Sequence, residues 1–119
     1  MSRDAAIVTT WGAPVRGREA KALEVFMEFL GFWGKRAAEG KCSEAEAFLT
    51  SDGSGGMSVV RGKVDALAEI WQSEECLRMI EKGQFIVEGL KSQWYWTGDE
   101  HIQQLTGMYV ETGQELGYI

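Results

Sequence analysis

Apolar and polar residues follow two different periods along this chain, and the changes between them predict its secondary structure. A period of two residues is typical of strands, and a period of three to four is typical of helices. Glycines and the single proline mark several of the boundaries. The pattern predicts a strand at Ala5–Trp11, a helix at Arg16–Glu39, strands at Ser43–Thr50 and Met57–Arg61, a helix from Val64 that breaks near Ser73, a strand at Gly89–Thr97 and a closing helix beyond Gly98.

The long helix carries two apolar stripes. The second stripe, Val25, Phe29 and Phe32, lies roughly 100° around the helix from the first. One stripe is expected to pack on the sheet, and the other then needs a partner, such as a groove on another protein. The stripe expected to face the sheet consists of Leu23, Phe26, Met27, Leu30, Trp33 and Ala37.

The predicted strand at Ser43–Thr50 has two unlike faces. One face carries Ala45, Ala47 and Leu49, and the other carries Glu44, Glu46 and Phe48. A glycine-rich run at 51–56 follows it, which is typical of a hairpin turn because glycine accepts a positive φ.

The later helices are expected to be short or weak. Ser73 followed by two acidic residues is typical of a new helix start, and that helix is expected to turn Leu77 and Ile80 inward and to fade at Gly83. In the last helix, which Asp99 can cap, two glycines cost about 1 kcal/mol each relative to alanine, so packing is expected to hold it. Its apolar face would be Ile102, Leu105, Tyr109, Thr112 and Leu116.

The order βαββαβ predicts an α+β fold, a ferredoxin-like sandwich with an antiparallel sheet and both helices on one face. A length of 119 residues suits a single domain covering 1–119. The other sheet face is left bare. Large apolar side chains nevertheless occur at alternating strand positions, and so on both faces, as with Trp94 and Tyr95. A homodimer would cover that face.

Charge and composition exclude several classes of partner. A net charge of −6 disfavours nucleic acid and anionic membranes, since both attract clustered Lys and Arg. The chain shows no signal-like run and no span of roughly 20 apolar residues, so a cytoplasmic location and no membrane contact are expected. Cys42 and Cys76 lack CxxC spacing and are expected to be free thiols.

The chain also resembles small bacterial proteins of the dimeric α+β-barrel superfamily over nearly its whole length. The resemblance is carried by Ser43–Leu49, Asp52-Gly53, Gly55-Gly56, Val59–Gly62, Ser73–Glu75, Tyr95–Gly98 and Tyr109. It implies a ferredoxin-like protomer whose sheet faces that of its mate and encloses a cavity. That superfamily includes cofactor-free monooxygenases, haem-handling enzymes, isomerases and stress proteins, so the resemblance does not choose a chemistry.

Few residues are candidates for catalysis. His101 is the sole histidine and could move a proton, although the preferred interpretation is a solvated position in the first turn of a helix. Glu46, with Glu44, could point a carboxylate into a cavity; the preferred interpretation is charge that protects an edge strand. Neither metal nor cofactor is predicted, because ligand spacings such as HxxxH are absent and one late histidine is a poor axial ligand for haem.

A non-catalytic role is preferred because the chain shows no paired acid, base and nucleophile. Trp11, Phe48, Trp94 and Trp96 are predicted to contact a small apolar ligand in a cavity between two sheets, or else to fill the core of a dimer. The favoured function is thus a non-catalytic or ligand-binding homodimer. A cofactor-independent monooxygenase or isomerase acting on an aromatic or polyketide-like substrate is the alternative, and a protein-interaction module is a third.

Overall fold

A four-stranded antiparallel sheet forms the centre of the computed structural model, which describes residues 4–119. The strand order is β2-β3-β1-β4. In chain order the elements are β1 (Asp4–Trp11), α1 (Glu19–Ala38), β2 (Glu46–Leu49), β3 (Gly56–Lys63), α2 (Val64–Trp71), α3 (Glu74–Ile86), β4 (Lys91–Thr97) and α4 (Asp99–Leu116). The predicted α+β, ferredoxin-like arrangement with an added C-terminal helix is confirmed.

The hydrophobic core lies between the sheet and helices α1, α2 and α3. On β1, Ile7 pairs with Val60 of β3 and with Trp94 of β4, and all three side chains belong to the face that the helices cover. Because side chains alternate along a strand, the neighbouring Val8 belongs to the opposite face. The buried core consists of Ala5, Ile7, Phe32, Trp33, Val60, Leu67, Ile70, Cys76 and Met79.

Helix α1 packs on the sheet through the stripe that was expected to seek a partner. Val25 and Phe32 are buried, whereas Leu23 and Met27 of the other stripe are 64% and 58% exposed. The predicted orientation is therefore wrong. The buried arc joins the second stripe to Ala22 and to Trp33 of the first stripe, and Ala22 and Val25 pack against Ile86 of α3. The stripe Val25, Phe29 and Phe32 is consequently unavailable as a docking surface for another protein.

The break between α2 and α3 occurs where the sequence predicts it. The Ser73 hydroxyl accepts a hydrogen bond from the Cys76 backbone N–H at 3.2 Å, which caps α3. Leu77 is exposed, so its predicted inward position is wrong, whereas Ile80 is half-buried and packs against the core as predicted. The helix instead buries Cys76, Met79, Gly83 and Ile86, and it continues through Gly83 to Ile86.

Helix α4 extends away from the rest of the molecule. It starts after Gly98, whose φ of 94° favours glycine, and its buried side chain among the described residues is that of His101. Tyr109 is 73% exposed, and of the predicted packed face only Leu105 is half-buried. Within the single chain, packing therefore holds only the first part of α4, and the described residues extend over 53 × 34 × 27 Å.

Candidate functional site

An apolar cavity of about 320 Å³ opens between α1, α3 and one end of the sheet. This volume falls at the lower end of the range of small-molecule sites, about 300–1,000 Å³. The cavity lies within one chain, on the helix-covered side of the sheet. Its walls include Trp11, Ala22, Val25, Phe26, Phe29 and Met79.

A glycine of α3 makes room for one residue of the cavity wall. Gly83 of α3 has no side chain, and a Cβ at this position would lie only 2.6 Å from Leu90 Cδ1. Both residues line the cavity. Any larger residue at position 83 would therefore push Leu90 out of its place in the wall.

Aromatic rings form one wall of the cavity. The rings of Trp11 and Phe26 lie 5.9 Å apart between centroids, at an interplanar angle of 56°. Phe29, one helical turn beyond Phe26, adds a third ring to the lining. Aromatic faces of this kind pack against flat apolar molecules.

The polar groups of the lining are mostly engaged already. Thr50 Oγ1 accepts a hydrogen bond from the Gly55 N–H and donates one to the Gly55 carbonyl, both at 3.0 Å. Thr9 Oγ1 lies 2.8 Å from Ser92 Oγ. The titratable residue in the described lining is Glu19, which is exposed at the start of α1. The cavity interior therefore suits an uncharged ligand.

The structure does not bring the four predicted ligand-binding residues together. Trp11 lines the cavity. Trp94 and Trp96 belong to the same face but lie further along β4, in edge-to-face contact with each other at 5.6 Å. Phe48 belongs to the opposite, open face, because it pairs with Met57 one position away from the buried Ser58.

The two candidate proton-transfer residues lie outside the cavity. His101 is buried in the first turn of α4, where Nδ1 lies 3.3 Å from the Asp4 carbonyl oxygen and the ring contacts Trp96. Glu46 is largely exposed on the open face, and its carboxylate lies 3.6 Å from the Arg61 guanidinium. Neither side chain faces the apolar walls.

The two cysteines are free thiols of low reactivity. Burial raises the pKa of Cys76 to about 11, and the nearby Arg36 guanidinium offsets only part of that effect. Burial likewise raises the pKa of Cys42, again with a smaller opposing effect of Arg36. Since the thiolate is the nucleophile, neither residue is activated for covalent chemistry.

Several cavity residues were not predicted from sequence. Ala22, Val25 and Met79 belong to helical faces whose orientation the periodicity did not settle. Thr9 shares its strand parity with the core residues Ala5 and Ile7. A polar residue at a position that strand alternation assigns to the core thus indicates that this end of the sheet differs from the rest.

Two further features, a metal-binding cluster and a membrane-crossing helix, are absent from residues 4–119. These residues contain no cluster of three or more His, Cys, Asp and Glu side chains that could hold a metal ion. The helices described over the same range include none that is long and apolar enough to cross a membrane.

Comparisons with known proteins define the class of fold. No protein-family model matches the chain, and no curated protein matches it. Solved structures do match. A protein of Mycobacterium tuberculosis is 14% identical, with a TM-score of 0.64 over 81% of this chain and 96% of that one.

Two Bacteroides proteins of unknown function share the same fold. The one from B. thetaiotaomicron, described as a possible oxidoreductase, is 16% identical with a TM-score of 0.60 over 81% of this chain and 98% of its own. The one from B. fragilis, described as dimeric and ferredoxin-like, is 10% identical with a TM-score of 0.53 over 78% and 96%. Identities this low establish a shared fold and no shared activity.

Proposed function

We propose that this protein binds a small, uncharged aromatic ligand in the cavity between α1, α3 and the sheet. The observation that carries the proposal is the cavity itself, which is apolar and has the tilted Trp11–Phe26 pair in its wall. Burying a flat hydrocarbon surface there would gain about 25 cal/mol for each Å² removed from water. Trp11 is the predicted ligand residue that fits this role.

We also propose that two copies associate through their open sheet faces. Val8 and Met57 are half-buried on this face, and Tyr95 and Phe48 are exposed beside them. Charged pairs lie toward one end, with Arg61 next to Glu46. An apolar centre with a polar rim is the usual composition of a protein interface. The dimeric protein of B. fragilis with the same fold supports this arrangement.

Cofactor-independent oxidation or isomerisation of an aromatic substrate is the second candidate. Water-excluding walls favour it, because desolvation strengthens electrostatic effects on a bound substrate. The predicted proton-transfer groups His101 and Glu46 lie outside the cavity, so binding is the better supported function. Turnover of a bound aromatic compound by the purified protein would make catalysis the better supported function.

A cavity-filling substitution tests the binding proposal. Ala22 is buried in the cavity wall, and Ala20 is exposed on the same helix. We expect Ala22→Leu to weaken binding of naphthalene at least about tenfold in equilibrium dialysis, because the added side chain occupies the ligand's space. Ala20→Leu is the matched control and should bind as the wild type does.

The test has a clear contrary result. If Ala22→Leu retains the wild-type circular dichroism spectrum and binds naphthalene with unchanged affinity, the ligand does not occupy this cavity. A wild-type protein that shows no binding at the solubility limit of naphthalene would likewise contradict the proposal.

A further inference from the structure

Helix α4 has an apolar stripe that continues past the part of the molecule on which the helix packs. At about 100° per residue, one arc of the helix about 100° wide holds His101, Leu105, Met108, Tyr109, Thr112 and Leu116. Near the start of α4, His101 is buried against Trp96 and Leu105 is half-buried. Further along, Met108 and Tyr109 are 54% and 73% exposed. The second half of the stripe therefore lies uncovered by residues 4–119.

The second half of α4 is a weak helix without a packed surface. Gly107 and Gly113 each cost about 1 kcal/mol relative to alanine. The last turn has no basic side chain to offset the negative end of the helix dipole. Isolated helices shorter than about 12–15 residues are marginal in water, and packing of an apolar face supplies most of their stability in proteins. A helical course as far as Leu116 therefore calls for a surface against this half of the stripe.

The open sheet face by itself is small for a stable dimer. Its strands have 8, 4, 8 and 7 residues. With a rise of about 3.3 Å per residue and a strand spacing of about 4.8 Å, they span about 430 Å². A stable interface buries about 800 Å² on each partner. A stripe about 15 Å long and about 10 Å wide on each α4, given and received by both copies, would add about 300 Å² per copy. The two surfaces together come close to the area that a stable dimer needs.

Charge distinguishes the candidate occupants of the stripe. Residues 99–119 include four acidic residues and no Lys or Arg. Helices that lie on anionic membranes carry Lys and Arg on the polar face, so α4 does not suit a lipid surface. On the open sheet face, the strand register places the basic residues Arg61, Lys63 and Lys91 with the acidic residues Asp4 and Glu46. The face thus has a small positive excess, which attracts the acidic helix of a second copy.

We infer that α4 is an exchanged arm, whose second half crosses to the partner copy in the dimer and packs its apolar stripe there. The inference rests on the proposed association through the open sheet faces, because it names the surface that completes that interface. Helix α4 follows β4, which is an edge strand, so the arm starts at the border of the open face. Each copy then holds the helix of the other in its folded form.

A charge on the exposed stripe tests the exchange. We expect Tyr109→Lys to raise the dissociation constant of the dimer at least about tenfold in sedimentation velocity, because the packed ring would be replaced by an ammonium group. Tyr109 is largely exposed in the single chain, so the circular dichroism spectrum should keep its sheet signal. The control is Gln114→Lys, which adds the same charge to the opposite side of the same half of α4. It should change the dissociation constant less than about twofold.

Hydrogen exchange of the wild type gives a second readout. We expect the backbone amides of residues 107–116 to be protected where the dimer forms and to exchange rapidly after dilution to the monomer. The amides of β1 lie in the centre of the sheet and should stay protected at both concentrations. The same loss of protection in α4 is expected for Val8→Lys, a substitution on the open face.

The outcomes separate the exchanged arm from the proposed association. If Val8→Lys weakens the dimer and Tyr109→Lys does not, the exchange is overturned while association through the open faces stands. Equal protection of residues 107–116 in monomer and dimer would also overturn the exchange, since the same chain would then cover the stripe. If Tyr109→Lys weakens the dimer and Val8→Lys does not, or if the wild type stays monomeric, both proposals fail.

Discussion

Both faces of the sheet carry apolar side chains, but their surroundings are very different. On the helix-covered face, Ile7 and Val60 are almost completely buried. On the open face, Phe48 and Tyr95 are 46% and 47% exposed in the single chain. Residues of both faces alternate along the same strands, so their neighbours in sequence do not explain the difference. The helices that follow β1 and β3 cover only one face, and this explains the difference in burial.

In the proposed dimer, this contrast would divide stability from association. The covered face holds the core and also the cavity, so folding and ligand binding share one set of helices. The open face is free for a second copy. The ion pair between Lys63 and Asp4, at 2.6 Å, lies at its end, where it can align two copies without being buried.

Truncation of a core residue on the covered face should have the largest effect. Ile7→Ala truncates a side chain of the buried core, since Ile7 is only 2% exposed. We expect the free energy of unfolding to fall by about 2–5 kcal/mol, measured by urea denaturation. Val8→Ala, on the next residue and the opposite face, is the matched control.

The size of the control effect sharpens the contrast between the faces. At low protein concentration Val8→Ala should cost clearly less than Ile7→Ala, because Val8 is only half-buried in one chain. Equal losses for the two variants at low concentration would mean that both faces contribute equally to the stability of a single chain.

A charge on the open face should give the second largest effect. We expect Val8→Lys to raise the dissociation constant of the dimer at least about tenfold, because an unpaired ammonium group would be buried at the interface. Sedimentation velocity over a range of concentrations measures this change. The control is Gln84→Lys, which adds the same charge to an exposed position on α3.

Two results would contradict the proposed role of the open face. Wild-type protein that remains monomeric at high concentration would leave the open face without a partner copy. A Val8→Lys variant that dimerises as strongly as Gln84→Lys would place the interface elsewhere on the molecule.

Sequence patterns predicted the order of strands and helices well, because the apolar period changes from two residues to three or four between them. They did not settle which strand face meets the helices, since Ile7, Val8, Val59 and Val60 are all apolar. Helix orientation was harder, since α1 is apolar over more than half of its circumference. Its packing depends on Ala22, a residue that hydrophobicity alone does not distinguish from exposed alanines.

The candidate site was less predictable than the fold. Its walls come from α1, α3 and the end of β1, so its existence depends on distances that no local pattern contains. Thr9 and Ser92 are visible as polar residues at core parity, but their alignment depends on the register of two strands. Helix α4 is exposed where it runs past the end of the sheet, and no local sequence pattern shows where that happens.

The smallest expected effect concerns the thiol buried on the covered face. Burial raises the pKa of Cys76 from an ordinary value near 9 to about 11. Between these values the unfolded chain loses the thiol proton while the folded chain keeps it, so stability that is complete below pH 9 falls as the pH rises toward 11.

Comparison with Cys76→Ala isolates this contribution, because other groups titrate alike in both proteins. From about pH 8 to about pH 9.7, the wild type should lose about 1 kcal/mol more unfolding free energy than the variant, measured by urea denaturation. No thiol can lose a proton at position 76 of the variant. Parallel pH profiles for the two proteins would mean that the thiol titrates as it does in water, and the covered face would then be less well sealed than the burial of Cys76 implies.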